Sequence, residues 1–162
     1  MTILPWNKAS FYTSQDRKDG LKIKVTYEAG SVYSDIVIDP RFADYNGFVD
    51  RSLVFGIMDE LIWYTIIMGL KKMSMTKKVT VEFYKPLHCN VPYRVKAVID
   101  RVQGKEIFVT ARVQDADGKR YIEIKGIFSE FKNAPVQDFL KNFDFRDSSP
   151  EIRKFFRSLG TN

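Results

Sequence analysis

Two adjacent carboxylates stand in the most apolar stretch of the chain. Between Arg51 and Met68, twelve of the eighteen residues are large and apolar, yet Asp59 and Glu60 lie side by side near the middle. A carboxylate held in an apolar wall is partly desolvated, which raises its pKa and makes it a better base. These acids are therefore candidates for general-base chemistry; the alternative is structural acids paired with lysine or arginine from the sheet or from another subunit.

Helical spacing would surround Asp59 with a glycine and large side chains. Phe55, Gly56 and Trp63 share its helix face, at offsets of three and four residues. Gly56, one turn before Asp59, would leave space beside the carboxylate for a ligand. Glu60 lies about 100° further round the helix, so the two acids face different surroundings.

The ends of this predicted helix, 51–68, carry further polar residues. Asp50 or Ser52 can cap the first turn by accepting hydrogen bonds from unpaired backbone N–H groups. The Arg51 side chain either binds a phosphate group or is a solvated or ion-paired arginine. Gly69 is expected to end the helix in the left-handed conformation.

Alternating apolar and polar residues predict six strands around this helix. Short turns such as Gln103-Gly104 imply antiparallel neighbours. We predict an α+β fold in which one curved antiparallel sheet wraps around one long central helix, followed by one or two small C-terminal helices. The predicted strands cover 21–28, 31–39, 76–84, 93–102, 106–114 and 120–131, and the predicted tail helices lie within 135–145 and 150–160.

Length and composition place the chain among ordinary globular proteins. Its 162 residues predict one domain, 1–162, with a core at about 20–131 and a helical tail at about 135–160. The net charge of +6 comes from lysines spread along the chain, so no nucleic-acid partner is expected. Two central acids argue against a membrane-spanning helix. A single cysteine, Cys89, and an N-terminus without a signal-peptide pattern fit a cytoplasmic protein.

The element order and the residues around the helix resemble the hot-dog fold acyl-CoA thioesterases. The similarity is greatest to the phenylacetate-pathway type, near the 4-hydroxybenzoyl-CoA thioesterases, and covers roughly 20–131. In 44-DYNGFVDRSLVFGIMDE-60, Gly47 matches the family's glycine and Asp59 matches its helical acid. Thr76 and Pro86 match the strand that follows in 76-TKKVTVEFYKP-86.

The chain departs from the family pattern where its histidine and glycines would be. The family has His-Gly-Gly nine residues before the helical acid, and this chain has Asp50-Arg51-Ser52. Strict spacing also puts Asp44 where the family has an asparagine, although Asn46 is close by. The motif is therefore degenerate on the side of the helix N-terminus.

The resemblance implies hydrolysis of an acyl-CoA thioester. Asp59 would be the base or nucleophile, the Arg51 backbone N–H would stabilise the oxyanion, and Thr76 would hold the attacking water. No metal or organic cofactor is implied, since coenzyme A is part of the substrate. The resemblance also implies a homodimer, or a dimer of dimers, with sites between subunits. The residues expected to contact substrate are Asp44, Asn46, Gly47, Asp50, Ser52, Gly56, Glu60 and Trp63.

A second function remains open on the sequence alone. A hot-dog protein without turnover could bind acyl-CoA or act as a structural or regulatory dimer. The Asp50-Arg51-Ser52 substitution favours this alternative, because a carboxylate facing the thioester oxygen would repel the forming oxyanion. The acid retained at Asp59 favours the enzyme.

Overall fold

A computed structural model of the protein describes residues 1–159. Seven antiparallel strands form the main sheet in the order β1-β3-β4-β6-β7-β8-β5, and β2 pairs with β9 in a separate ribbon. The strands are β1 Thr2–Ile3, β2 Trp6–Asn7, β3 Thr26–Glu28, β4 Ser31–Val37, β5 Ser74–Phe83, β6 Pro92–Gln103, β7 Glu106–Gln114, β8 Arg120–Glu130 and β9 Phe143–Asp144; the helices are α1 Arg51–Leu70, α2 Val136–Leu140 and α3 Pro150–Arg157.

The main sheet curves around α1. The helix contacts β4, β5, β6 and β7, although β4 and β5 are separated by three strands. In a flat sheet these two strands would lie roughly 19 Å apart, about twice the width of a helix. One helix can touch both only if the sheet bends. The predicted sheet around one long helix, with small C-terminal helices, is confirmed.

The apolar character of α1 follows from this enclosure. By length and composition alone, α1 is long and apolar enough to cross a membrane. More than half of its most apolar window is buried inside the fold, as expected for a core helix covered by a sheet.

The caps of α1 agree with the sequence at one end and differ at the other. Asp50 is the N-cap, and its side chain accepts a hydrogen bond from the Ser52 N–H at 2.7 Å. The expectation that Gly69 ends the helix is wrong, because Lys71 takes the left-handed conformation with φ 55°. Gly69 instead allows close packing, since a Cβ there would lie 2.9 Å from Cδ1 of Ile99 on β6.

The first predicted strand, 21–28, is mostly replaced by another arrangement. Only Thr26–Glu28 joins the sheet. The N–H groups of Leu21 and Ile23 donate to the backbone of residues 11 and 12 instead, at 2.9 and 2.8 Å. We call residues 7–20 the N-terminal strap. The other five strands end within two residues of their predicted limits.

The C-terminal tail packs against the beginning of the chain. β9 pairs with β2, and the Phe143 ring lies against Trp63 of α1, with 5.9 Å between ring centroids. The predicted tail helices are confirmed as α2 and α3. Gly160, the last residue of the predicted 150–160 helix, lies outside the described residues.

Candidate active site

A cleft of about 530 Å³ lies between α1, the N-terminal strap and the tail. Its walls are largely aromatic, and both adjacent acids line it. The lining residues are Asn7, Ala9, Ser10, Tyr12, Phe55, Gly56, Asp59, Glu60, Trp63, Phe139 and Phe143. The structure therefore brings Asp59, Glu60, Gly56 and Trp63, four of the site residues predicted from sequence, to one cavity.

Asp59 is held by a threonine and not by a cation. Its carboxylate accepts a hydrogen bond from Thr76 Oγ1 at 2.7 Å. Thr76 precedes a break in the register between β5 and β8, and such bulges re-aim side chains. Within residues 1–159, no lysine or arginine forms an ion pair with Asp59, and Lys77, the residue after Thr76, pairs with Glu106 of β7. Asp59 is therefore not part of a structural ion pair within the described residues.

Glu60 occupies a drier environment than its neighbour. Its carboxylate accepts a hydrogen bond from Ser10 Oγ at 2.7 Å and makes no ion pair within the described part of the chain. Burial, and to a smaller extent the charge of Asp59, raise the pKa of Glu60, and the Ser10 hydroxyl offsets part of this. Glu60 ties the N-terminal strap to α1.

The space beside Gly56 is occupied by the protein itself. A Cβ at Gly56 would lie 2.0 Å from Tyr12 Oη, so the absence of a side chain admits the Tyr12 ring. The expectation that this space stays open for a ligand is wrong at this position, although Gly56 still lines the cleft. Sequence reasoning missed Tyr12, because no local pattern in the strap indicates which helix residue it will meet.

The N-terminus of α1 is partly blocked by its own cap. The Asp50 carboxylate accepts hydrogen bonds from the Ser52 hydroxyl and the Ser52 N–H, and the Leu53 N–H adds to the stabilisation of its charge. These bonds keep the pKa of Asp50 below its usual value, so it is ionised at neutral pH. The Arg51 N–H has no hydrogen-bond partner among residues 1–159 and is left as the first-turn donor.

A second cavity, of about 280 Å³, opens beside this helix end. Asp44 and Arg51 line it, and the Arg51 guanidinium lies 5.8 Å from the centre of the Phe83 ring. Asn46 and Gly47 line neither cavity and instead form a left-handed turn, with φ 57° and 72°. Their observed role is conformational.

The two halves of the predicted site do not meet within one chain. Asp59 is eight residues along α1 from Arg51, which corresponds to about 12 Å. A carbonyl group in contact with the Asp59 carboxylate is therefore out of reach of the Arg51 N–H of the same chain.

The fold is shared with solved structures whose sequences differ widely from this one. No family model and no curated protein matches the chain. A thioesterase superfamily protein is similar with a TM-score of 0.69 and 18% identity, over 74% of this chain and 62% of that one. The Escherichia coli PaaI protein of the phenylacetic acid degradation operon is similar with a TM-score of 0.62 and 11% identity, over 68% of this chain and 80% of that one. The chain has the hot-dog fold.

A third hot-dog structure, from Streptococcus mutans UA159, is bound to acetyl-CoA. It has a TM-score of 0.62 and 11% identity, over 72% of this chain and 94% of that one. This chain thus spans less than two thirds of the first of the three proteins and most of the other two. In its own hot-dog fold, α1 is the central helix and β5 is the strand that follows it.

Proposed function

We propose that the protein hydrolyses an acyl-CoA thioester with Asp59 as base or nucleophile. The observation that carries the proposal is the Asp59 carboxylate itself. It faces a cleft, has no cationic partner within residues 1–159, and is oriented by Thr76. A structural acid at a buried position would need a nearby lysine or arginine to neutralise its charge, whereas Asp59 is half-buried and open to the cleft.

The Thr76 hydroxyl leaves part of the Asp59 carboxylate available for chemistry. It donates to one oxygen, Oδ1, so that the other can accept a proton from water or attack the thioester carbon directly. In the first route, water attacks while Asp59 takes its proton; in the second, water hydrolyses the resulting anhydride. The C–S bond breaks in both, and coenzyme A leaves as a thiolate that is then protonated. The proposed reaction requires neither a metal nor an organic cofactor.

A second copy of the chain would complete the site. β5 is ten residues long and pairs only with β8, so its other edge is open among the described strands. Open edges of this length tend to pair with another chain. We propose a two-fold dimer that places Asp59 of one chain near the Arg51 N–H of its partner, with a dimer of dimers as a further level of assembly.

Coenzyme A is proposed as the thiol carrier. The structural similarity to a protein bound to acetyl-CoA supports this choice. In this chain, Arg51 and Lys85 line the cavity at the helix N-terminus, together with the Phe83 and Tyr84 rings. Two cations beside apolar rings suit the end of coenzyme A that carries its phosphate groups.

One observation favours the alternative of a binding protein without turnover. The ionised Asp50 carboxylate sits on the N–H groups that would otherwise stabilise the oxyanion, and its charge would repel that oxyanion. If this repulsion prevented turnover, the protein would bind acyl-CoA and release no thiol.

Asp59→Asn separates the two functions. Asparagine retains an oxygen that can accept the Thr76 hydrogen bond but cannot serve as base or nucleophile. We expect thiol release from the preferred acyl-CoA to fall by about 10²–10⁴-fold, the range for a lost general base. A panel of acyl-CoAs with a thiol-detecting reagent measures this.

Asp100→Asn is a matched control, since Asp100 also accepts a hydrogen bond from a threonine, Thr110 Oγ1, at 2.8 Å. Its turnover should equal that of the wild type. Saturable acyl-CoA binding without thiol release by the wild type, unaltered by Asp59→Asn, would contradict the hydrolase and support the binding protein.

A further inference from the structure

The N-terminal strap fixes Tyr12 in the cleft from several sides. The Tyr12 and Thr13 N–H groups donate to Ser10 Oγ at 3.1 and 3.2 Å, and the Ile23 N–H donates to the Tyr12 carbonyl at 2.8 Å. The Tyr12 ring packs edge-on against Phe11, with centroids 5.4 Å apart. The position of the phenol is therefore set by backbone and ring contacts together.

The Tyr12 hydroxyl lies on the helix face that carries Asp59. Oη is 2.0 Å from where a Cβ of Gly56 would be, and Asp59 is three residues further along α1. Residues at this spacing have Cβ positions about 5–6 Å apart. A carbonyl carbon about 3 Å from the Asp59 carboxylate can therefore direct its oxygen toward Tyr12 Oη.

This hydroxyl is available as a donor. Tyr12 Oη makes no hydrogen bond to any residue of 1–159, and Tyr12 lines the cleft. Burial, together with the charges of Glu60 and Asp59, raises the pKa of Tyr12, so the phenol keeps its proton at neutral pH. A protonated phenol without a protein partner can donate to a ligand.

The helix N-terminus has only one first-turn N–H group left for a substrate within residues 1–159. Asp50 accepts the Ser52 N–H and draws stabilisation from the Leu53 N–H, which leaves the Arg51 N–H. Oxyanion sites stabilise developing charge with preorganised donors, and tyrosine hydroxyls are among those that serve. A further donor is therefore needed beside Asp59.

We propose that Tyr12 Oη donates a hydrogen bond to the thioester carbonyl oxygen as that oxygen becomes negative. The Arg51 N–H of the partner subunit is the other donor. Tyr12 keeps its proton throughout, and the oxyanion returns to a carbonyl when the C–S bond breaks. Tyr12 is thus a further catalytic residue, and the inference rests on the proposed function.

Tyr12→Phe tests the hydroxyl while keeping the ring. We expect kcat to fall by about 10²-fold, as for loss of one oxyanion donor, with KM nearly unchanged. Tyr33→Phe is the matched control, because it removes a hydroxyl that donates to Glu28 on the sheet surface at 3.1 Å. Equal kcat for wild type and Tyr12→Phe would overturn the inference.

Binding of two non-hydrolysable analogues gives a readout that does not need turnover. One is a 2-oxoalkyl-CoA, which carries a ketone oxygen; the other is an alkyl-CoA, which carries none. The wild type should bind the ketone more tightly, and Tyr12→Phe should lose that preference. A wild type without the preference, or a variant that keeps it, would overturn the role of Tyr12. A wild type that hydrolyses no acyl-CoA and binds neither analogue would overturn the proposed function itself.

Folding of Tyr12→Phe is checked by its melting temperature. Should this variant fail to fold, Gly56→Ala is the second variant, since it displaces the same hydroxyl from the helix side. An unchanged kcat and ketone preference in a folded Gly56→Ala protein would likewise overturn the inference.

Discussion

At the scale of single residues, two neighbouring acids have different environments. Asp59 faces the cleft and accepts from Thr76 on β5, whereas Glu60 is under the N-terminal strap and accepts from Ser10. The separation arises because successive helix residues point about 100° apart. Burial raises the pKa of Glu60, so its charge is a cost to the folded state.

Glu60→Gln should increase stability near neutral pH. The folded-state pKa of Glu60 is raised, so the native protein loses stability as pH rises from the unfolded-state pKa through the folded-state pKa. Glutamine can accept the Ser10 hydrogen bond without a charge. We expect a higher melting temperature near pH 7 and no difference at about pH 4, where unfolded carboxyls are half protonated. Glu28→Gln, at an exposed position, is the control; the same gain at both pH values would contradict this account.

At the scale of elements, α1 and the N-terminal strap are matched to each other. The Tyr12 ring of the strap packs against Gly56, and the Ser10 hydroxyl donates a hydrogen bond to Glu60, one helical turn later. The strap also forms backbone bonds with 21–23, which explains why the predicted strand there is short. One segment thus covers the helix, shapes the cleft and supplies Tyr12.

Gly56→Ala should disrupt this match and lower turnover. The new Cβ would lie 2.0 Å from Tyr12 Oη, so the ring must move away from Asp59. Thiol release should fall to about the level of Tyr12→Phe, and the double variant should lose little more, because both changes remove one interaction. Gly69→Ala on the same helix is the control, since its Cβ would meet only the mobile Cδ1 methyl of Ile99. Additive losses in the double variant would show that the two residues act separately.

At the scale of the whole molecule, the proposed site needs two chains. Asp59, Thr76 and Tyr12 belong to one, and the Arg51 N–H belongs to the other. The open edge of β5 is the surface on which the copies would meet. Mixed dimers can therefore reveal which residues come from the same chain.

Mixed dimers of Asp59→Asn and Arg51→Pro should recover activity. Proline is tolerated at the first helical position and removes the N–H donor there. Half of randomly formed dimers are mixed, and one of two sites in each is intact, so about one quarter of wild-type activity should return. Mixing Asp59→Asn with Tyr12→Phe should give no recovery. Asp59 and Tyr12 of each site come from the same chain, so every site in the mixture lacks one of them. No recovery in the first mixture would contradict the shared site.

Much of the framework was predictable from sequence because periodic patterns report which faces are buried. Alternation located β4 through β8, and the apolar run located α1 and its N-cap. The resemblance to the thioesterases assigns roles to both Thr76 and Asp59, and the structure places the two side chains in hydrogen-bond contact. The placement of Gly47 in a left-handed turn also follows from its residue type.

The sequence by itself determined strands β4 to β8, the enclosed helix and the acid carried on it. Only the tertiary structure decided that Tyr12 fills the space at Gly56, that Ser10 bonds to Glu60 and that Lys71 ends α1. Local patterns depend on neighbours in the chain, whereas these contacts join or respond to segments far apart in sequence. The packing of the strap and the sheet on α1 decides which of these residues come into contact. The periodicity of the sequence carries no information about that packing.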